Sequence, residues 1–479
     1  MSGDRFVYRF VRDLRLDDHA GLAAAAKRGA IVPVLVIDRD VREEIARSTR
    51  RAAFFCSAVA ALDADLRERG SRLVVRRGSV AHALRAVARE AQAPGVAWSA
   101  AYHATAMRAD ERLQSQLEES GLIAAIVHDA PAIPPEETAA ARPSAGNGYR
   151  AFAPYFDVWR QLPVASHEHP LLLRFDAAGV TTEALPEPSE FGAEEIVTEA
   201  GALVARGALE QFLREFVGNY DAAVRVPSDD RTSRLSAHLS FGTLSARSTI
   251  AAVRKRLEDP TLHGEERFSL RLFLRSLARR DFFLQLAWFH PHSEREPLQE
   301  KMRGFRFART HAGLDAWRAG ATGFPLVDAG MRQLRQTGWM HPQIRAVTAS
   351  FLCFDLGVDW RIGRDEWDRQ LIEDDPAIAG GNWQWIAGVG ADMAQYPRIY
   401  NPERQRRRYD PDGVYVRRWI TQLKNVPMSS WRESLTDSRQ LTFDLSSAGG
   451  YPRPIVDHER AAHEFLRRYR AFVAQAEAS

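Results

Sequence analysis

Residues that could hold a flat cofactor lie close together in the last quarter of the chain. Three consecutive acids precede a pair of glycines, and two tryptophans follow one residue apart. Glycines let a backbone approach a flat ligand closely, carboxylates accept hydrogen bonds from ring or sugar donors, and indoles stack on aromatic rings. The spacing predicts a tight turn between two helices that either binds an aromatic cofactor or only contributes tryptophans to a core. These residues are Glu373, Asp374, Asp375, Gly380, Gly381, Trp383 and Trp385, with Asp392 after a second run of small residues.

A second candidate ligand site is rich in hydroxyls. Residues 232–236, Thr-Ser-Arg-Leu-Ser, come directly before the helical pattern HLSFGTLS. Hydroxyls at the start of a helix accept hydrogen bonds from its first N–H groups, and the helix dipole attracts anions to the same place. The segment therefore predicts a simple N-cap or, with a ligand present, a phosphate site.

Both segments need a scaffold, and residues 1–129 predict one that is built on a sheet. Short apolar runs alternate there with helical stretches. This alternation predicts a doubly wound parallel sheet with helices on both faces, a fold that often binds ligands at the carboxyl ends of its strands. Because no GxGxxG pattern is present, a dinucleotide is not expected in this domain. The strands are expected at 6–10, 31–38, 73–78, 95–100 and 123–129, and the helices at 50–69, 79–92 and 105–120.

The remainder of the chain predicts a connector and an all-helical domain. Residues 130–205 are rich in Pro, Ala and Ser, and long connections of this kind usually link domains or carry function. One aromatic island in the connector, residues 148–163, is expected to dock on a domain. Apolar residues then recur at helical spacing, beginning with Leu209, Phe212, Leu213 and Phe216. The predicted domains are an α/β domain at 1–129, a linker at 130–205 and a helical domain at 206–475, with helices at 265–289, 326–337, 342–356 and 455–475.

Composition excludes several classes of protein. The 479 residues are enough for two or three domains with sizeable cores. Lys and Arg number 65 and Asp and Glu 62, so bulk charge does not indicate a nucleic-acid-binding protein, although a local basic groove is compatible with it. Two cysteines, Cys56 and Cys353, exclude a disulfide scaffold, a cysteine-ligated zinc site and a four-cysteine iron–sulfur cluster. With no signal peptide or membrane-spanning run, we expect a cytoplasmic monomer or weak dimer without a metal ion.

The chemistry-bearing segments resemble the flavin-binding part of the DNA photolyase/cryptochrome family. The resemblance rests on WRAGATGFPLVDAGMRQLRQTGWMHPQIR and on EDDPAIAGGNWQWIAGVGADMAQYPRIYNP, and it extends from Phe6 to about residue 470. It implies a photolyase-type α/β domain joined by a long linker to a C-terminal helical domain that binds FAD.

The resemblance also implies roles for individual residues around FAD. Tyr220 and residues 232–236 would hold the phosphates and the adjoining ribityl or ribose groups. Two positions on the helix at 265–289 align with flavin neighbours, and an arginine–acid pair aligns with residues at the isoalloxazine ring. A core salt bridge without a ligand is the alternative for that pair. The implied FAD-binding residues are Tyr220, Thr232, Ser233, Arg234, Leu235, Ser236, then Phe273 and Arg280 on the helix, Arg345 and Glu373 as the pair, Asp375 near the ring N3–H, and Asp374 and Asp392.

A second, light-harvesting chromophore is less expected. The family carries it in the α/β domain, and FVRDLRLDD resembles the family's opening motif. Where the family often has W-N-R-D-Y, this chain has Trp98, Ser99, Ala100, Ala101 and Tyr102. Loss of the polar trio argues against a folate or deazaflavin antenna.

The family's electron relay of three tryptophans is only partly retained. Trp383 and Trp360 occupy the inner and middle positions, but Phe307 occupies the outer one. Phenylalanine is much harder to oxidise, so light-driven flavin reduction should be slow unless Trp317, Trp367 or a tyrosine substitutes. We expect Trp317 to be a core residue.

The substrate pocket departs most from the family pattern. Photolyases that repair cyclobutane pyrimidine dimers (CPDs) present a glutamate, two tryptophans, an Asn-Arg pair, a methionine and a further asparagine. The lost glutamate would stabilise a charged thymine carbonyl by roughly 1.5–3 kcal/mol, and the lost tryptophan would stack on a flipped base for about 1–3 kcal/mol. The aligned residues are Ser276, Arg279, Pro342, Gln343, Ala346 and Ala379; Trp385 is retained, and Val224 replaces an arginine that approaches DNA.

The (6-4) branch of the family does not explain the pocket better. Its histidine pair would fall at Pro342 and Ala346. His341 matches a structural histidine of the whole family, and a catalytic role for it is the alternative.

Three functional hypotheses follow. The leading one is a photolyase-like flavoenzyme with a non-DNA small-molecule substrate, because Ser276, Arg279 and Gln343 would make a smaller, cation-bearing pocket suited to an anionic or carbonyl-rich ligand. The alternative is a light-dependent deoxyribodipyrimidine (CPD) photolyase, a lyase that repairs UV-damaged DNA with unusual pocket residues. The third is a cryptochrome-like blue-light sensor, against which stand the interrupted relay and the lack of a disordered signalling tail.

Overall fold

The computed structural model of the protein describes residues 5–142, 146–165, 173–194, 196, 198–229, 231–373, 375–391, 397–428 and 450–478. The chain divides into two compact units. Among the described residues, none of the helices combines the length and apolar composition that crossing a lipid bilayer requires. The first unit comprises Met1–Gly218, Ser233–Glu294 and Ile372–Ile378, and the second comprises Asn219–Thr232, Arg295–Leu371 and Ala379–Ser479.

A parallel five-stranded sheet is the basis of the first unit. Its strands are β1 (Arg5–Phe10), β2 (Ala30–Ile37), β3 (Val74–Arg77), β4 (Gly95–Ser99) and β5 (Ile123–Val127). They lie in the order β3-β2-β1-β4-β5, and each neighbouring pair is parallel. The order reverses between β1 and β4, so the carboxyl ends of these two strands form a topological switch point.

Both faces of the sheet are covered because its central strands are apolar on both sides. Along β1, Phe6 and Tyr8 belong to one buried cluster, whereas Val7 between them belongs to another. Along β2, Ile31 and Val32 divide between the same two clusters. Burial on both faces is typical of parallel sheets. The predicted doubly wound fold is confirmed.

The helices account for most of the remaining described chain, and those predicted from the sequence are confirmed in position within a few residues. Two π-helical turns, Phe212–Phe216 and Phe351–Asp355, continue the helices that precede them. In chain order the helices are α1 (Ala20–Ala26), α2 (Arg39–Ile45), α3 (Thr49–Glu68), α4 (Val80–Ala91), α5 (Ala104–Glu118), α6 (Pro135–Ala140), α7 (Phe152–Trp159), α8 (Ala202–Gln211), α9 (Tyr220–Ala223), α10 (Ser236–Ser240), α11 (Ala246–Leu257), α12 (Gly264–Phe289), α13 (Leu314–Ala319), α14 (Pro325–Thr337), α15 (Pro342–Ser350), α16 (Trp360–Asp368), α17 (Pro376–Ala387), α18 (Pro402–Tyr409), α19 (Val414–Trp419) and α20 (His458–Ala478).

The apolar face predicted at residues 209–216 is only partly regular. Leu209 and Phe212 are buried, whereas Leu213 and Phe216 are half-buried. The chain changes from α8 to a π-helical turn at Phe212. A π-turn contains more residues than an α-turn, so positions spaced for one α-helical face separate.

The connector contains more regular structure than its composition predicts, because α6, α7 and the start of α8 lie in it. Its aromatic island packs on α12 within the first unit: Nε1 of Trp159 donates to Oδ2 of Asp281 at 3.1 Å, and the rings of Tyr155 and Phe282 are 5.3 Å apart. The predicted docking is confirmed. The compact units divide the chain at other residues than the predicted domains, since α10 to α12 belong with the sheet. The domain boundaries at 129, 205 and 475 stay a prediction.

Helices of the second unit enclose a core around Trp317 and Trp360, both fully buried. Nε1 of Trp317 donates to the carbonyl of Thr348 at 3.1 Å. The prediction that Trp317 is a core residue is confirmed. At the start of α14, the buried carboxylate of Asp328 accepts hydrogen bonds from the N–H and the hydroxyl of Thr322, both at 2.7 Å, which ties the preceding loop to the helix.

The Gly380–Gly381 pair does not form the predicted tight turn, because both glycines lie inside α17. A proline occupies the first position of this helix, and Oδ1 of Asp375 accepts hydrogen bonds from the N–H groups of Ala377 and Ile378 at 3.1 and 3.3 Å. Both are strong helix-starting signals. They and the burial of Trp383 outweigh the roughly 0.5–1 kcal/mol that each helical glycine costs.

The docking of α7 on α12 yields a paired prediction. Trp159→Phe removes one donor to a buried carboxylate and should lower the free energy of unfolding by about 1–3 kcal/mol. Tyr155→Phe, on the same helix, removes a buried hydroxyl that has no hydrogen-bond partner in the described structure, and it should be neutral or stabilising. Urea denaturation of both variants measures the difference. Equal losses would show that the Trp159–Asp281 hydrogen bond contributes nothing.

Candidate functional site

The hydroxyl-rich segment does not cap a helix. The helix that follows, α10, begins at Ser236, and its N-cap residue, Leu235, makes no side-chain cap. Arg234 has a left-handed backbone with φ 50°, so the chain turns just before the helix. The N-cap prediction is wrong because the turn places a leucine at the cap position. Oγ1 of Thr232, in the second unit, is buried without a hydrogen-bond partner in the described structure, as expected of a group that awaits a polar ligand.

The flavin residues predicted on α12 lie in the first unit. Phe273 is buried, with its ring 4.7 Å from that of Phe212. Arg280 donates from Nη1 to the carbonyl of Ala130 at 2.7 Å and from Nη2 to that of Leu239 at 3.2 Å. Its Nε is buried and, within the described residues, unpartnered. The guanidinium is thus rigidly held, and its Nε–H remains for a ligand.

The predicted acids around residue 374 are only partly described. Glu373 is buried at 9% exposure and Asp375 is half-buried, both in the first unit. One oxygen of Asp375 is engaged as the cap of α17, which leaves the other carboxylate oxygen for a ring N–H. Asp374 and Asp392 lie outside the described residues.

Predicted flavin residues also lie in the second unit. Tyr220 begins α9 and is half-buried. Nε of Arg345 donates to the carbonyl of Met340 at 2.8 Å, which fixes the stem of this side chain against the turn that precedes α15. The pairing of Arg345 with Glu373 stays a prediction.

Three buried tryptophans of the second unit are the candidates for electron transfer. Trp383 is 3% exposed, and its ring centroid lies 4.5 Å from that of Trp367. Trp360 is fully buried, and the guanidinium of Arg361 lies over its ring at 4.7 Å. The family resemblance pointed to Trp360 and Trp383, and the ring contact places Trp367, named above as a possible substitute, next to Trp383.

The outer relay position is occupied by a structural side chain. The ring of Phe307 packs at 5.0 Å from Phe305 and at 5.9 Å from Phe465. Both contacts are with phenylalanines of one apolar cluster, and Tyr469 packs against the same two rings. Phe307, the residue that interrupts the predicted relay, therefore has a packing role.

Both α12 residues predicted for the substrate pocket are exposed, but other groups engage them. The hydroxyl of Ser276 donates to the carbonyl of Phe273 at 2.6 Å. The guanidinium of Arg279 lies over the ring of Phe152 at 4.8 Å. A hydroxyl bound to its own helix cannot replace the charge of a glutamate, whereas the guanidinium of Arg279 carries a charge on an exposed residue.

Pocket residues predicted in the second unit are close to the surface. Oε1 of Gln343 accepts a hydrogen bond from the hydroxyl of Tyr409 on α18 at 3.1 Å. Pro342 is exposed at the first position of α15, and Trp385 is half-buried. The remaining small positions, Val224, Ala346 and Ala379, are half-buried.

His341 has a structural role. Its Nδ1 accepts from the N–H of Gln343 at 3.3 Å as the N-cap of α15, and its Nε2 lies 3.3 Å from the carbonyl of Ala223. The imidazole is fully buried. With both nitrogens engaged, the structural interpretation is favoured over catalysis.

A buried ion network lies at the carboxyl ends of β1 and β5, and we did not predict it, although the charges of FVRDLRLDD pointed to this edge. The carboxylate of Asp129 accepts from Nη2 of Arg15 and from Nη2 of Arg247, each at 2.7 Å. Burial alone would raise the pKa of Asp129, but Arg15, His19 and Arg247 together hold that pKa well below its usual value. A cavity of about 360 Å³ lies beside the network, lined in part by Arg15, Ser245 and Arg206.

Packing around Trp383 gives a prediction for the tryptophan cluster. A methyl group at Gly363 would lie 2.3 Å from Cη2 of Trp383 and 2.4 Å from Leu352. Gly363→Ala should therefore lower stability by about 1–3 kcal/mol through overpacking and displace the indole. Gly380→Ala is the control, because its nearest neighbour outside its own helix is 4.0 Å away. Thermal unfolding of the two variants checks this, and equal stability would refute the close packing.

Family models match both parts of the chain. A model described as DNA photolyase matches residues 6–189, and one described as the FAD binding domain of DNA photolyase matches residues 273–471. A deoxyribodipyrimidine photo-lyase of Halobacterium salinarum is 35% identical, over 96% of this chain and 97% of its own. A relative of the same name from Streptomyces griseus is 36% identical, over 96% and 98%.

Solved structures agree with these matches. A bacterial class III photolyase from Agrobacterium tumefaciens is similar with a TM-score of 0.84 and 28% identity, over 98% of both chains. An archaeal photolyase from Sulfolobus tokodaii, solved with two FAD molecules, has a TM-score of 0.81 and 27% identity, over 98% of this chain and 100% of its own. The protein therefore belongs to the DNA photolyase/cryptochrome family, with the N-terminal photolyase domain and the FAD-binding domain of that family.

Proposed function

We propose that the protein is a light-dependent deoxyribodipyrimidine photolyase that acts on UV-damaged DNA. The observation that carries this proposal is the near-full-length similarity, at 35% and 36% identity, to relatives named for that activity. It favours the DNA-repair alternative over the small-molecule hypothesis that led the sequence analysis. The altered pocket then belongs to a repair enzyme that contacts its lesion through different side chains.

FAD fits the groups that the fold leaves unsatisfied. Buried polar atoms nearly always have partners, so Oγ1 of Thr232 and Nε of Arg280 are suited to a polar ligand. The phosphate oxygens of FAD would accept a hydrogen bond from Nε of Arg280. For the hydroxyl of Thr232, FAD could supply either an acceptor, such as a phosphate oxygen, or a donor, such as a sugar hydroxyl. When bound in its reduced form, FAD supplies a light-driven electron to the lesion.

Gln343 is our candidate for contact with the damaged base. Its Oε1 is held by the hydroxyl of Tyr409, which orients the amide. The other hydrogen bond of Gln343 is made by its backbone N–H, and in the described part of the chain its side-chain N–H₂ group has no partner. A neutral N–H donor to a pyrimidine carbonyl is about half as strong as a charge-assisted one, so it would compensate only in part for the missing glutamate.

An arginine-rich helix is our candidate for contact with the DNA backbone. On α18, Arg404 and Arg408 are exposed, and the guanidinium of Arg408 lies 5.4 Å from the ring of Tyr409. That tyrosine in turn bonds Gln343, so the arginines and the candidate base contact share one side of the second unit. Guanidiniums bind phosphates with good geometry and fix the register of a duplex without reading its sequence.

The arginine contacts can be tested through the salt dependence of binding. Arg404→Gln and Arg408→Gln should each reduce the slope of log K against log salt concentration by about 0.9, the value for one lost phosphate contact on duplex DNA. Arg467→Gln on α20 is the matched control, because that arginine is exposed but paired with Glu464. Fluorescence anisotropy with a UV-damaged duplex gives the slopes. Unchanged slopes in both α18 variants would remove this helix from the interface.

Repair itself is tested by illuminating the purified, flavin-loaded protein with an oligonucleotide that contains a cyclobutane thymine dimer. We expect restored thymines in the light and none in the dark. Gln343→Ala should slow repair by about tenfold, since one hydrogen bond of about 1.4 kcal/mol is lost. Binding without repair, or no binding, would contradict the proposal.

A small-molecule substrate is the second candidate, and two exposed side chains of α12 favour it. Ser276 and Arg279 replace the glutamate and tryptophan of CPD photolyases, and Arg279 keeps an exposed guanidinium. The guanidinium of an exposed arginine is better suited to binding an anionic ligand than to binding the face of a flipped base. This candidate predicts flavin-dependent turnover of a small anionic or carbonyl compound, with no restored thymines in the same assay. Blue-light flavin reduction with slow dark recovery and no turnover would instead indicate a light sensor.

A further inference from the structure

Tyr102, His128 and Glu136 form a hydrogen-bonded row at the carboxyl ends of β4 and β5. The hydroxyl of Tyr102 lies 2.6 Å from Nδ1 of His128, and Nε2 of His128 lies 3.2 Å from Oε2 of Glu136. The ends of the strands set this arrangement, because Ser99 of β4 pairs with Val127 of β5 just before the two rings. Tyr102 is 5% exposed, while the side chain of Glu136 is 51% exposed. The row therefore leads from a buried phenol to a solvated carboxylate.

The row also determines which atom carries each proton. A carboxylate only accepts, so Glu136 selects the tautomer of His128 that has its proton on Nε2. Nδ1 then presents a lone pair to the phenol, and Tyr102 donates. Burial lowers the pKa of His128, which keeps the imidazole neutral and able to accept a proton, and burial raises the pKa of Tyr102, which keeps the phenol protonated.

The row is connected by packing contacts to Arg280, which we place at the flavin. The ring of Trp288, on α12, lies 5.7 Å from that of Tyr102 and 4.8 Å from that of His128. Ala130, two residues after His128, packs in the same apolar cluster as Tyr102 and accepts a hydrogen bond from Arg280 at 2.7 Å. All of these residues lie in the first unit. Contacts are therefore continuous from Arg280 to the phenol.

We propose that Tyr102 is a redox-active residue that donates an electron to the light-excited flavin, with His128 as the acceptor of its proton. In this step Tyr102 is oxidised by one electron, and that electron passes to the flavin. The O–H bond of the phenol breaks and an N–H bond forms at Nδ1 of His128. The products on the chain are a neutral tyrosyl radical and an imidazolium that Glu136 stabilises. The inference rests on the proposed FAD site.

Proton transfer is what makes the phenol a usable donor. Without an acceptor, removal of an electron would leave a strongly acidic phenol cation in a buried site, which is costly. A base within hydrogen-bond reach avoids that charge. The other donors of this chain are weaker than the family pattern implies, since Phe307 interrupts the relay and Arg361 places a positive charge over the ring of Trp360.

The test uses pulsed illumination of the FAD-loaded full chain carrying Trp383→Phe, which removes the inner tryptophan of the relay that the family resemblance implies. Electron paramagnetic resonance should detect a neutral tyrosyl radical that is absent when Tyr102→Phe is added. His128→Asn should lower the rate of its formation by about 100-fold, the low end of what a positioned proton acceptor contributes. Formation should also be slower in D₂O, a readout that a purely structural tyrosine would not change. Tyr155→Phe is the matched control, because this buried phenol has no hydrogen-bond partner among the described residues.

The outcomes separate the two proposals. A radical that persists in Tyr102→Phe, or that forms at the same rate in D₂O and in His128→Asn, overturns this inference and leaves FAD binding intact. A flavin-loaded protein that shows no tyrosyl radical also overturns this inference and leaves FAD binding intact. A protein that binds no FAD overturns the proposed function and this inference together. Tyr102→Phe keeps the ring that packs against Trp288, so its folding can be verified by unchanged FAD binding.

Discussion

Buried charge is the constraint on which the first unit depends. The carboxylate of Asp129 is 2% exposed, and a carboxylate so deeply buried is tolerated only when it is paired and hydrogen-bonded. Its partners are Arg15 after β1, Arg247 on α11 and the N–H of Ala20 at the start of α1. Removal of either guanidinium would break a buried ion pair of Asp129, a change that typically costs about 3–5 kcal/mol. The network therefore holds the carboxyl ends of β1 and β5 in one arrangement.

The same network positions the residues next to it. Because Asp129 is fixed, its chain neighbours His128 and Ala130 are held at the edge of the sheet. There His128 lies within hydrogen-bond distance of Tyr102, and the carbonyl of Ala130 accepts a hydrogen bond from Arg280. A proton-accepting histidine and a predicted flavin contact thus depend on one buried carboxylate. Charge pairing in this unit therefore fixes the local geometry at the edge of the sheet.

In the second unit the comparable constraint is packing. The indole of Trp383 is buried against Trp367 and against a glycine of α16 that leaves no room for a methyl group. Positions that face solvent, such as Gln343 and Pro342, are free to change because the core does not specify them. The packed core therefore keeps the family's scaffold at 35% identity to a photolyase, while substitutions at such positions are tolerated.

The alternation of apolar runs determined the parallel sheet, because strands buried on both faces must be continuously apolar. The long, ordered motifs determined the family. The glycine turn and the hydroxyl cap were wrong because both depend on neighbours: α17 is stabilised by its Asp375 cap and by burial of Trp383, while the left-handed Arg234 moves the cap to a leucine.

The sequence alone thus specified the scaffold and the FAD-binding domain, since hydrophobic periodicity and motif order are local properties of a chain; the individual FAD residues stay a prediction. Only the tertiary structure showed that Trp367 contacts Trp383, that Arg279 stacks on Phe152 and that the hydroxyl of Tyr102 lies within hydrogen-bond distance of His128. Those pairs join residues that are distant in the chain, and the contacts exist because packing and the pairing of buried charge bring them together.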